Sequence, residues 1–390
     1  MTFEVRDINA LADIDAAQWN ALTGPDYPFL RHEFLEALEC SGAVSPQTGW
    51  TPQHLALWQG ERLVGVMPRY LKDHSRGEYV FDWQWADAFE RAGGRYYPKQ
   101  LSAIPFTPAT GPRLALAEDV DSDEALKALA ESLAAAAPVS WHLLFPDADI
   151  AARWQHVWPG LLRRESIQYH WFDRGYDDFD GFLATMTSKR RKEVRRERRL
   201  VADQGLTMRR LVGREIDEAA LRSFYRCYQI TYLEHGQRGY LNYEFFRLLL
   251  ERMPASLVLI QALDRMSRPV AAALCLRGST TLYGRYWGSE VEANCLHFET
   301  CYYQGIEYCL ETGLAHFDPG TQGEHKIARG FEPTPTRSLH WISHEGFRDA
   351  VADFLERERL ALDEVRGQMV EMLPFKRDRR AGTPKEPGAT

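Results

Sequence analysis

Hydrophobic positions along the chain repeat with helical spacing in some segments and form short, turn-bounded runs in others. Apolar residues spaced by three and four positions predict amphipathic helices over 121–138, 217–234, 297–313 and 345–369. Short apolar runs predict strands, including a hairpin over 54–72 and a three-stranded meander over 256–288. Residues 79–113 are rich in Pro, Gly and aromatic side chains and predict irregular loops. This alternation of helices and meandering strands indicates an α/β (α+β) protein.

Two segments share one layout, which suggests two domains of similar build. Residues 55–70 and 257–276 each give a strand, a polar turn and a second strand that opens with Val-Gly or Val-Ala. A chain of 390 residues also exceeds one typical core. We therefore expect an N-terminal domain over 1–175, a C-terminal domain over 176–372 and a disordered tail over 373–390.

Composition places the chain among ordinary globular proteins, with 45% hydrophobic residues and a formal net charge of −8. The first residues lack the basic and apolar parts of a signal peptide, and no run approaches the ~20 apolar residues of a membrane helix. The six Cys include no C-x-x-C pair and indicate no disulfide framework. We expect a cytoplasmic protein without membrane insertion, and the oligomeric state stays open.

A predicted helix over 188–204 departs from the acidic character of the chain. Between Lys189 and Arg199, eight cations accompany two carboxylates. Cations at a helix N-terminus are unfavourable unless an anion binds there, because the helix dipole is already positive. Lys189, Arg190 and Arg191 are therefore candidates for a phosphate site. The ligand would be a nucleotide, a diphosphate cofactor or an RNA backbone; the alternative is a plain solvated helix.

The glycine-rich segment DPGTQGEHKIARGF, residues 318–331, concentrates reactive side chains. Glycines allow the backbone to approach a ligand closely. The segment predicts an active-site loop in which Lys326 stabilises developing negative charge and Glu324 or His325 handles a proton. A polar surface loop without a task is the alternative. The remaining candidates for ligand binding in the segment are Gly320, Gly323 and Arg329.

Three further residues are candidates near that loop. Glu299 and Tyr303 lie four positions apart on the polar face of the predicted helix over 297–313 and either line the same cleft or face solvent. Arg285 stands among aromatic residues in a predicted strand and either binds a carboxylate or phosphate or pairs with an internal acid. The His and Cys spacings fit no zinc site, so we expect no metal.

Four motifs together closely resemble the FemAB-like branch of the GNAT acyltransferase superfamily: KRRKEVRRE (189–197), LYGRYWG (282–288), HFETCYYQGIE (297–307) and GTQGEHKIARGF (320–331). The resemblance implies two tandem GNAT-like domains, each with a mixed, mostly antiparallel sheet flanked by helices. In Fem ligases a K-x-R-x-x-I-R-type helix stands near the domain junction, and Lys189, Arg191 and Arg195 match it here. A late lysine assists acyl transfer in those ligases, and Lys326 is the candidate by position.

The resemblance also implies amide-bond formation by an N-acyltransferase. Fem ligases place an aminoacyl group from charged tRNA on a peptidoglycan precursor peptide. The expected donor is therefore acetyl-CoA or aminoacyl-tRNA, as a co-substrate rather than a bound cofactor. The expected acceptor is the amine of a small molecule or peptide, with tRNA as a possible partner. The alternative is a non-catalytic protein that recognises a phosphate-bearing cell-wall precursor or RNA. The coiled-coil arm of some Fem ligases and the glycine-rich pyrophosphate loop of ordinary GNAT enzymes are not evident in the sequence.

Overall fold

The computed structural model describes residues 3–136, 139–234, 236, 239–321 and 323–376. Its strands are β1 (Glu4–Ile8), β2 (Trp50–Pro52), β3 (His54–Gln59), β4 (Arg62–Met67), β5 (Tyr70–Lys72), β6 (Lys99–Ser102), β7 (Ala115–Leu116), β8 (Ser140–Leu144), β9 (Leu162–Phe172), β10 (Thr207–Val212), β11 (Leu257–Leu263), β12 (Pro269–Arg277), β13 (Thr281–Ser289), β14 (His316–Asp318) and β15 (Glu332–Ile342). Its helices are α1 (Ala16–Thr23), α2 (His32–Cys40), α3 (Trp83–Arg91), α4 (Ser122–Ala136), α5 (Ala148–Val157), α6 (Phe179–Ala184), α7 (Ser188–Asp203), α8 (Glu218–Glu234), α9 (Tyr243–Arg252), α10 (Leu296–Phe298), α11 (Gln304–Thr312) and α12 (Glu345–Glu371). A π-helical turn, Glu299–Tyr303, joins α10 to α11, and a 3-10 helix spans Glu324–Arg329.

Residue contacts divide the chain into two compact units. The first unit comprises Met1–Ser166, Tyr240–Met253 and Pro335–Glu364, and the second comprises Ile167–Gly239, Pro254–Thr334 and Val365–Thr390. Each unit is therefore discontinuous in sequence, whereas the sequence predicts a single domain boundary near residue 175. That single boundary stays a prediction.

The first unit contains two groups of strands. Antiparallel pairs join β1, β3, β4 and β7 in that order. In the second group, β2, β5 and β6 pair antiparallel, β6 pairs parallel with β8, and β8 pairs antiparallel with the end of β15. Helix α4 begins where the Asp121 carboxylate accepts hydrogen bonds from backbone N–H groups, and its Leu126, Leu129 and Leu133 enter the core. Trp141 and Trp154 fill the same core.

The second unit is built on the predicted meander. Strands β10, β11, β12 and β13 pair antiparallel in that order, β14 pairs parallel with β13, and the end of β9 pairs antiparallel with β14. Helix α8 lies close to β13: a Cβ at Gly288 would overlap the backbone carbonyl of Cys227. The parallel pair ends at Asp318, and the chain then turns into the glycine-rich segment.

The predicted fold class is confirmed, since helices flank sheets that are mixed and mostly antiparallel. The predicted irregular loop over 79–113 is wrong in part, because α3 and β6 lie within it. Helix α3 forms there because Trp85 and Ala86 are buried in a core cluster with Tyr96. Most of the predicted tail, and residues 137–138 of the first predicted helix, lie outside the described residues.

The first residues of the predicted tail contact the second unit. Phe375 forms an isolated antiparallel bridge with Met186. The Lys376 backbone N–H donates to the carbonyl of Thr185, and its Nζ donates to the carbonyl of Ala184. Residues 373–376 therefore pair with the segment before α7.

Candidate functional site

Lys326 is a buried amine on the 3-10 helix that follows β14, with 1% of its surface exposed. Its Nζ donates a hydrogen bond to the carbonyl of Gly320 at 2.5 Å. Burial lowers the pKa of Lys326 to about 8, with Asp318 acting against this shift and Arg285 adding to it. Lys326, which was predicted to lie on an active-site loop, is thus a buried amine of the second unit whose pKa of about 8 is close to neutral pH.

Asp318, at the end of β14, was not among the predicted site residues. It is buried, and its Oδ1 accepts the backbone N–H of Gly320 at 2.9 Å. Its Oδ2 has no hydrogen-bond partner among the described residues. The Gly320 N–H, predicted to bind a ligand, is therefore already occupied by a carboxylate that the turn itself supplies.

His325 stands beside Lys326 but is exposed, as is Glu324. Its Nε2 lies 2.8 Å from the Tyr302 hydroxyl. Partial desolvation of the imidazole by the surrounding side chains, together with the charges of Arg329 and Lys326, lowers the pKa of His325 below its usual value. The ring folds back over Gly323, which has a φ of 101° and where a Cβ would overlap it. Glycine is needed at 323 for both reasons.

Aromatic rings surround His325. Its ring centroid lies 5.5 Å from that of Phe298 and 6.1 Å from that of His297. Burial, followed by the charges of neighbouring cations, lowers the pKa of His297 to about 4. Both imidazoles are therefore neutral near pH 7, in surroundings made electropositive by Lys326 and Arg329.

Arg329 is the last residue of the 3-10 helix, and its guanidinium contacts a carboxylate, a backbone carbonyl and an aromatic ring. Its guanidinium donates to the Glu197 carboxylate at 2.5 and 3.1 Å and to the His325 carbonyl at 2.7 Å. It also lies 3.4 Å from the centroid of the Phe298 ring. The predicted ligand-binding arginine therefore holds the segment of Lys326 against α7.

Glu299 and Tyr303 were predicted either to line a cleft or to face solvent, and the structure places both in buried contacts with α7. Arg198 donates to Glu299 at 2.9 and 3.0 Å and to Glu307 at 2.6 and 3.2 Å. Although burial opposes it, the hydrogen bonds and charges of both glutamates raise the pKa of Arg198 above its usual value. The Tyr303 hydroxyl donates to Glu197. These contacts fix the π-helical turn.

The predicted phosphate residues of α7 lie at the surface, with Lys189 and Arg195 exposed and Arg190 and Arg191 half-buried. Arg190 pairs with Glu193 at 2.7 Å and Arg195 pairs with Asp180 at 2.8 Å. Lys189 and Arg191 have no ion pair within the described chain. The helix thus presents cations on one side and reaches the Lys326 segment through Glu197 on the other.

Arg285 lies half-buried on β13, with its guanidinium carbon 6.0 Å from the centroid of the Tyr286 ring. Its positive charge contributes to the lowered pKa of Lys326. Of the predicted residues, the structure brings Arg285, Gly320, Gly323, His325, Lys326 and Arg329 together. Sequence reasoning missed two residues of this group: Asp318, at the start of the glycine-rich segment 318–331, and Tyr302, in the motif at 297–307.

The first unit holds a second group of buried charges that the sequence did not suggest. Lys99 donates to Ser75 and Glu78 at 2.8 Å and to Asp82 at 2.5 Å. Burial raises the pKa of Glu78 to about 7 and lowers that of Lys72 to about 7. Lys72 and Lys99 are direct partners on β5 and β6, so this sheet carries two buried amines side by side.

Within residues 3–376, apart from the positions that the structure does not describe, no group of three or more His, Cys, Asp or Glu side chains is arranged to hold a metal ion. No helix in the described chain is long and apolar enough to cross a bilayer.

Comparison with known families identifies the chain. The sequence profile of the FemAB-like family, described as peptidoglycan biosynthesis/recognition, matches residues 10–377, and the chain belongs to this family. No curated protein matches it.

Several solved structures share the fold. One is FemX, at 13% identity and a TM-score of 0.54 over 90% of this chain and 100% of FemX. Another is the C-terminal DUF2156 domain of a candidate lysylphosphatidylglycerol synthetase from Agrobacterium fabrum, at 8% identity and a TM-score of 0.54 over 89% and 97% of the chains. At these identities the likeness concerns the fold alone.

Proposed function

We propose that the protein is an N-acyltransferase that forms an amide bond by moving an acyl or aminoacyl group to an amine. The observation that carries this proposal is the pairing, on one 3-10 helix, of a buried amine and a neutral imidazole. Lys326 is 1% exposed and has a pKa of about 8, and the neighbouring His325 has a pKa below its usual value. Such perturbed pairs are typical of acid–base and electrostatic catalysis.

The proposed reaction assigns one role to each group. The acceptor nitrogen attacks the carbonyl carbon of an activated ester or thioester, and the protonated Lys326 stabilises the resulting oxyanion. His325 accepts the proton of the attacking amine. Collapse of the intermediate breaks the C–O or C–S bond, and the same proton passes to the departing alkoxide or thiolate. One such oxyanion donor contributes about 2.7–4 kcal/mol to transition-state stabilisation.

The family description, peptidoglycan biosynthesis/recognition, supports an acceptor related to peptidoglycan. We propose a precursor peptide as that acceptor. Acetyl-CoA and aminoacyl-tRNA are the two donors to be compared. The outward cations of α7 would bind phosphate groups of the donor or acceptor. Glu324, exposed beside His325, is an alternative proton acceptor.

One observation favours a non-catalytic role instead. The Lys326 Nζ and the Gly320 N–H both have internal partners, so neither is presented to a ligand without rearrangement. A binding protein for a phosphate-bearing precursor or RNA needs only the cations of α7. It would lose binding on charge reversal at Arg190 and Arg191 and retain it in Lys326→Met.

The test begins with thermal unfolding in the presence of acetyl-CoA, charged tRNA or a nucleotide-linked cell-wall precursor. A ligand at about 100 times its Kd adds about 2.7 kcal/mol to the free energy of unfolding. Transfer of a radiolabelled acyl group is then measured with the stabilising pair. Lys326→Met should lower kcat at least about 100-fold.

Lys127→Met is the matched control, since Lys127 is exposed on α4 and its one ion pair within the described residues is with the exposed Glu124. It should retain full transfer. Ligand binding without any amide product, unchanged in Lys326→Met, would establish the binding role and refute the enzyme.

A further inference from the structure

Tyr302 lies between the two side chains that the proposed reaction uses. It belongs to the π-helical turn Glu299–Tyr303 and is only 2% exposed. Its hydroxyl oxygen lies 2.8 Å from the Nε2 of His325, and the Nζ of Lys326 lies 5.8 Å from the centroid of its ring. Single π-helical turns inside helices are frequent at functional sites. One buried residue thus contacts both the imidazole and the amine.

The packing of neighbouring rings fixes the orientation of Tyr302. The ring centroids of Phe298, His297 and Phe331 lie 6.1, 5.1 and 5.3 Å from that of Tyr302. Within the described chain, the Tyr302 hydroxyl has no hydrogen-bond partner other than His325. Buried tyrosine hydroxyls need such a partner, so this one bond determines where the imidazole is held.

The bond to Tyr302 leaves one imidazole nitrogen open. His325 is exposed, and its Nδ1 has no hydrogen-bond partner among the residues that the structure describes. A Cβ at position 323 would lie 2.4 Å from this Nδ1, so Gly323 keeps the space beside it free of a side chain. Because Tyr302 occupies Nε2, Nδ1 is the nitrogen that can meet a ligand.

We infer that Tyr302 is a positioning residue for acyl transfer: its oxygen accepts the Nε2–H of His325, so that Nδ1 takes the proton of the attacking amine. A neutral imidazole has one donor and one acceptor nitrogen, and this arrangement makes Nδ1 the acceptor. The same proton then passes from Nδ1 to the departing alkoxide or thiolate, and the imidazole is neutral again. The inference rests on the proposed function, in which His325 is the base.

A neutral hydroxyl here takes the place that a carboxylate has in a Ser-His-Asp triad. The charged and titratable groups around the ring are Lys326 and Arg329 on the same 3-10 helix, His297 on α10 and Tyr302 itself. Partial desolvation and the two cations lower the pKa of His325. The bond from Nε2–H to Tyr302 counters them, because it is charge-assisted when the imidazole is protonated.

The first experiment is NMR of the ring nitrogens in the full chain, with labelled histidine, no substrate present, and His325→Gln to assign the signal. The neutral ring should carry its proton on Nε2. Tyr302→Phe, which keeps the aromatic ring, should lower the pKa of His325 further. A proton on Nδ1 in the natural protein would overturn the inference, and so would an unchanged pKa in Tyr302→Phe. The first of these results needs no variant of Tyr302 to fold.

Kinetics supply the second experiment. Tyr302→Phe should lower kcat about tenfold, less than the roughly 100-fold loss expected when the base itself is removed, with little change in KM. In the His325→Gln background it should cause no further loss, because Tyr302 acts through His325. An additive loss would assign Tyr302 a purely structural role.

The matched control is Tyr308→Phe. Tyr308 is also buried, its hydroxyl accepts a hydrogen bond from Arg277 at 3.2 Å, and that guanidinium lies 6.0 Å from the centroid of its ring. This variant should keep the kcat of the natural protein. Equal losses of kcat in Tyr308→Phe and Tyr302→Phe would contradict the positioning role.

The NMR experiment requires no turnover, so the two proposals fail separately. If acyl transfer proceeds and Tyr302→Phe leaves kcat unchanged, the role of Tyr302 alone is wrong. If the ring nitrogens behave as inferred and no acyl transfer is found with any donor, the proposed function is wrong, while the assignment of Nδ1 as the open, basic nitrogen stands.

Discussion

Arg329 and Glu197 form a two-pronged ion pair in the second unit. The guanidinium Nη2 lies 2.5 Å from one carboxylate oxygen and its Nε lies 3.1 Å from the other. Arg329 ends the 3-10 helix that carries Lys326, and Glu197 belongs to α7. The side chains are only 10% and 12% exposed, so the pair joins two elements where water is largely excluded.

Glu197→Gln should therefore destabilise the protein strongly. Removing one partner of a buried pair leaves the other charge uncompensated and costs about 3–5 kcal/mol, and the slight exposure here favours the lower end. Urea unfolding measures the change. Glu193→Gln on the same helix is the control, since its pair with Arg190 is exposed and contributes at most about 1 kcal/mol. Equal losses in the two variants would contradict the buried role of Glu197.

Arg198→Lys should also be poorly tolerated, although it conserves charge. Arg198 bonds to Glu299 and Glu307 with four contacts of 3.2 Å or less, and an ammonium cannot reproduce this planar arrangement. We expect a loss of about 1.5–3 kcal/mol, the range for hydrogen bonds to charged groups. The neighbouring Arg199→Lys, at an exposed and unpaired position of the described chain, should change the free energy of unfolding by less than about 0.5 kcal/mol.

Contacts such as those of Arg198 could not be predicted from the sequence, whereas the elements with a clear local pattern could. The meander β11–β13 and helix α8 follow from local periodicity, and the structure confirms them. Arg198 and Glu299 are 101 residues apart, and no local pattern links them. For the same reason Glu299 was predicted to lie on a polar helix face. Helical periodicity shows which residues are polar, but not which of them are buried against a partner.

The candidate site shows the same division. Lys326 and His325 stand out in the sequence because reactive side chains between glycines are unusual. The protonation states of these two residues cannot be predicted from the sequence, because they depend on burial and on the nearby Asp318 and Arg329. The π-helical turn that brings Tyr302 to His325 likewise has no signal in a helical repeat.

Gly323→Ala should displace the His325 ring and lower acyl transfer. The new Cβ would overlap the imidazole, and the φ of 101° is unfavourable for any other residue. Gly313→Ala is the matched control, because Gly313 has a φ of 71° with open space around it. Gly313→Ala should lose stability from its left-handed backbone and Gly323→Ala should lose more, because it adds a steric overlap, but only Gly323→Ala should reduce kcat. Equal activities would show that the His325 position is not needed.

Acid should unfold the first unit through a pair of buried imidazoles. The Nδ1 atoms of His142 and His340 are 2.7 Å apart. Burial, with the charge of Lys99 adding to it and that of Asp82 opposing it, lowers the pKa of His142 to about 3. The unfolded chain therefore binds more protons below about pH 6.5, and stability falls from there toward pH 3 by about 1.4 kcal/mol per pH unit for this group.

His142→Gln should flatten that dependence, which urea unfolding at pH 7, 6 and 5 would measure. His156→Gln, on the surface helix α5, serves as the control and should keep the slope of the natural protein. A steep slope that persists unchanged in His142→Gln would show that other groups cause the acid sensitivity.

The lowered pKa of Lys326 predicts that stability also depends on pH in the alkaline range. Its folded-state pKa of about 8 lies below the unfolded value of about 10.4, so the unfolded chain binds more protons between these values. The free energy of unfolding should therefore rise with pH across that interval, by about 3 kcal/mol in total.

Lys326→Met lacks this contribution. The difference in stability between the natural protein and Lys326→Met should change by that amount from pH 7.5 to 10.5, since other titrating groups are common to both. Parallel stability curves would mean that Lys326 is solvated like an ordinary lysine, and its role as a buried oxyanion donor would then fail.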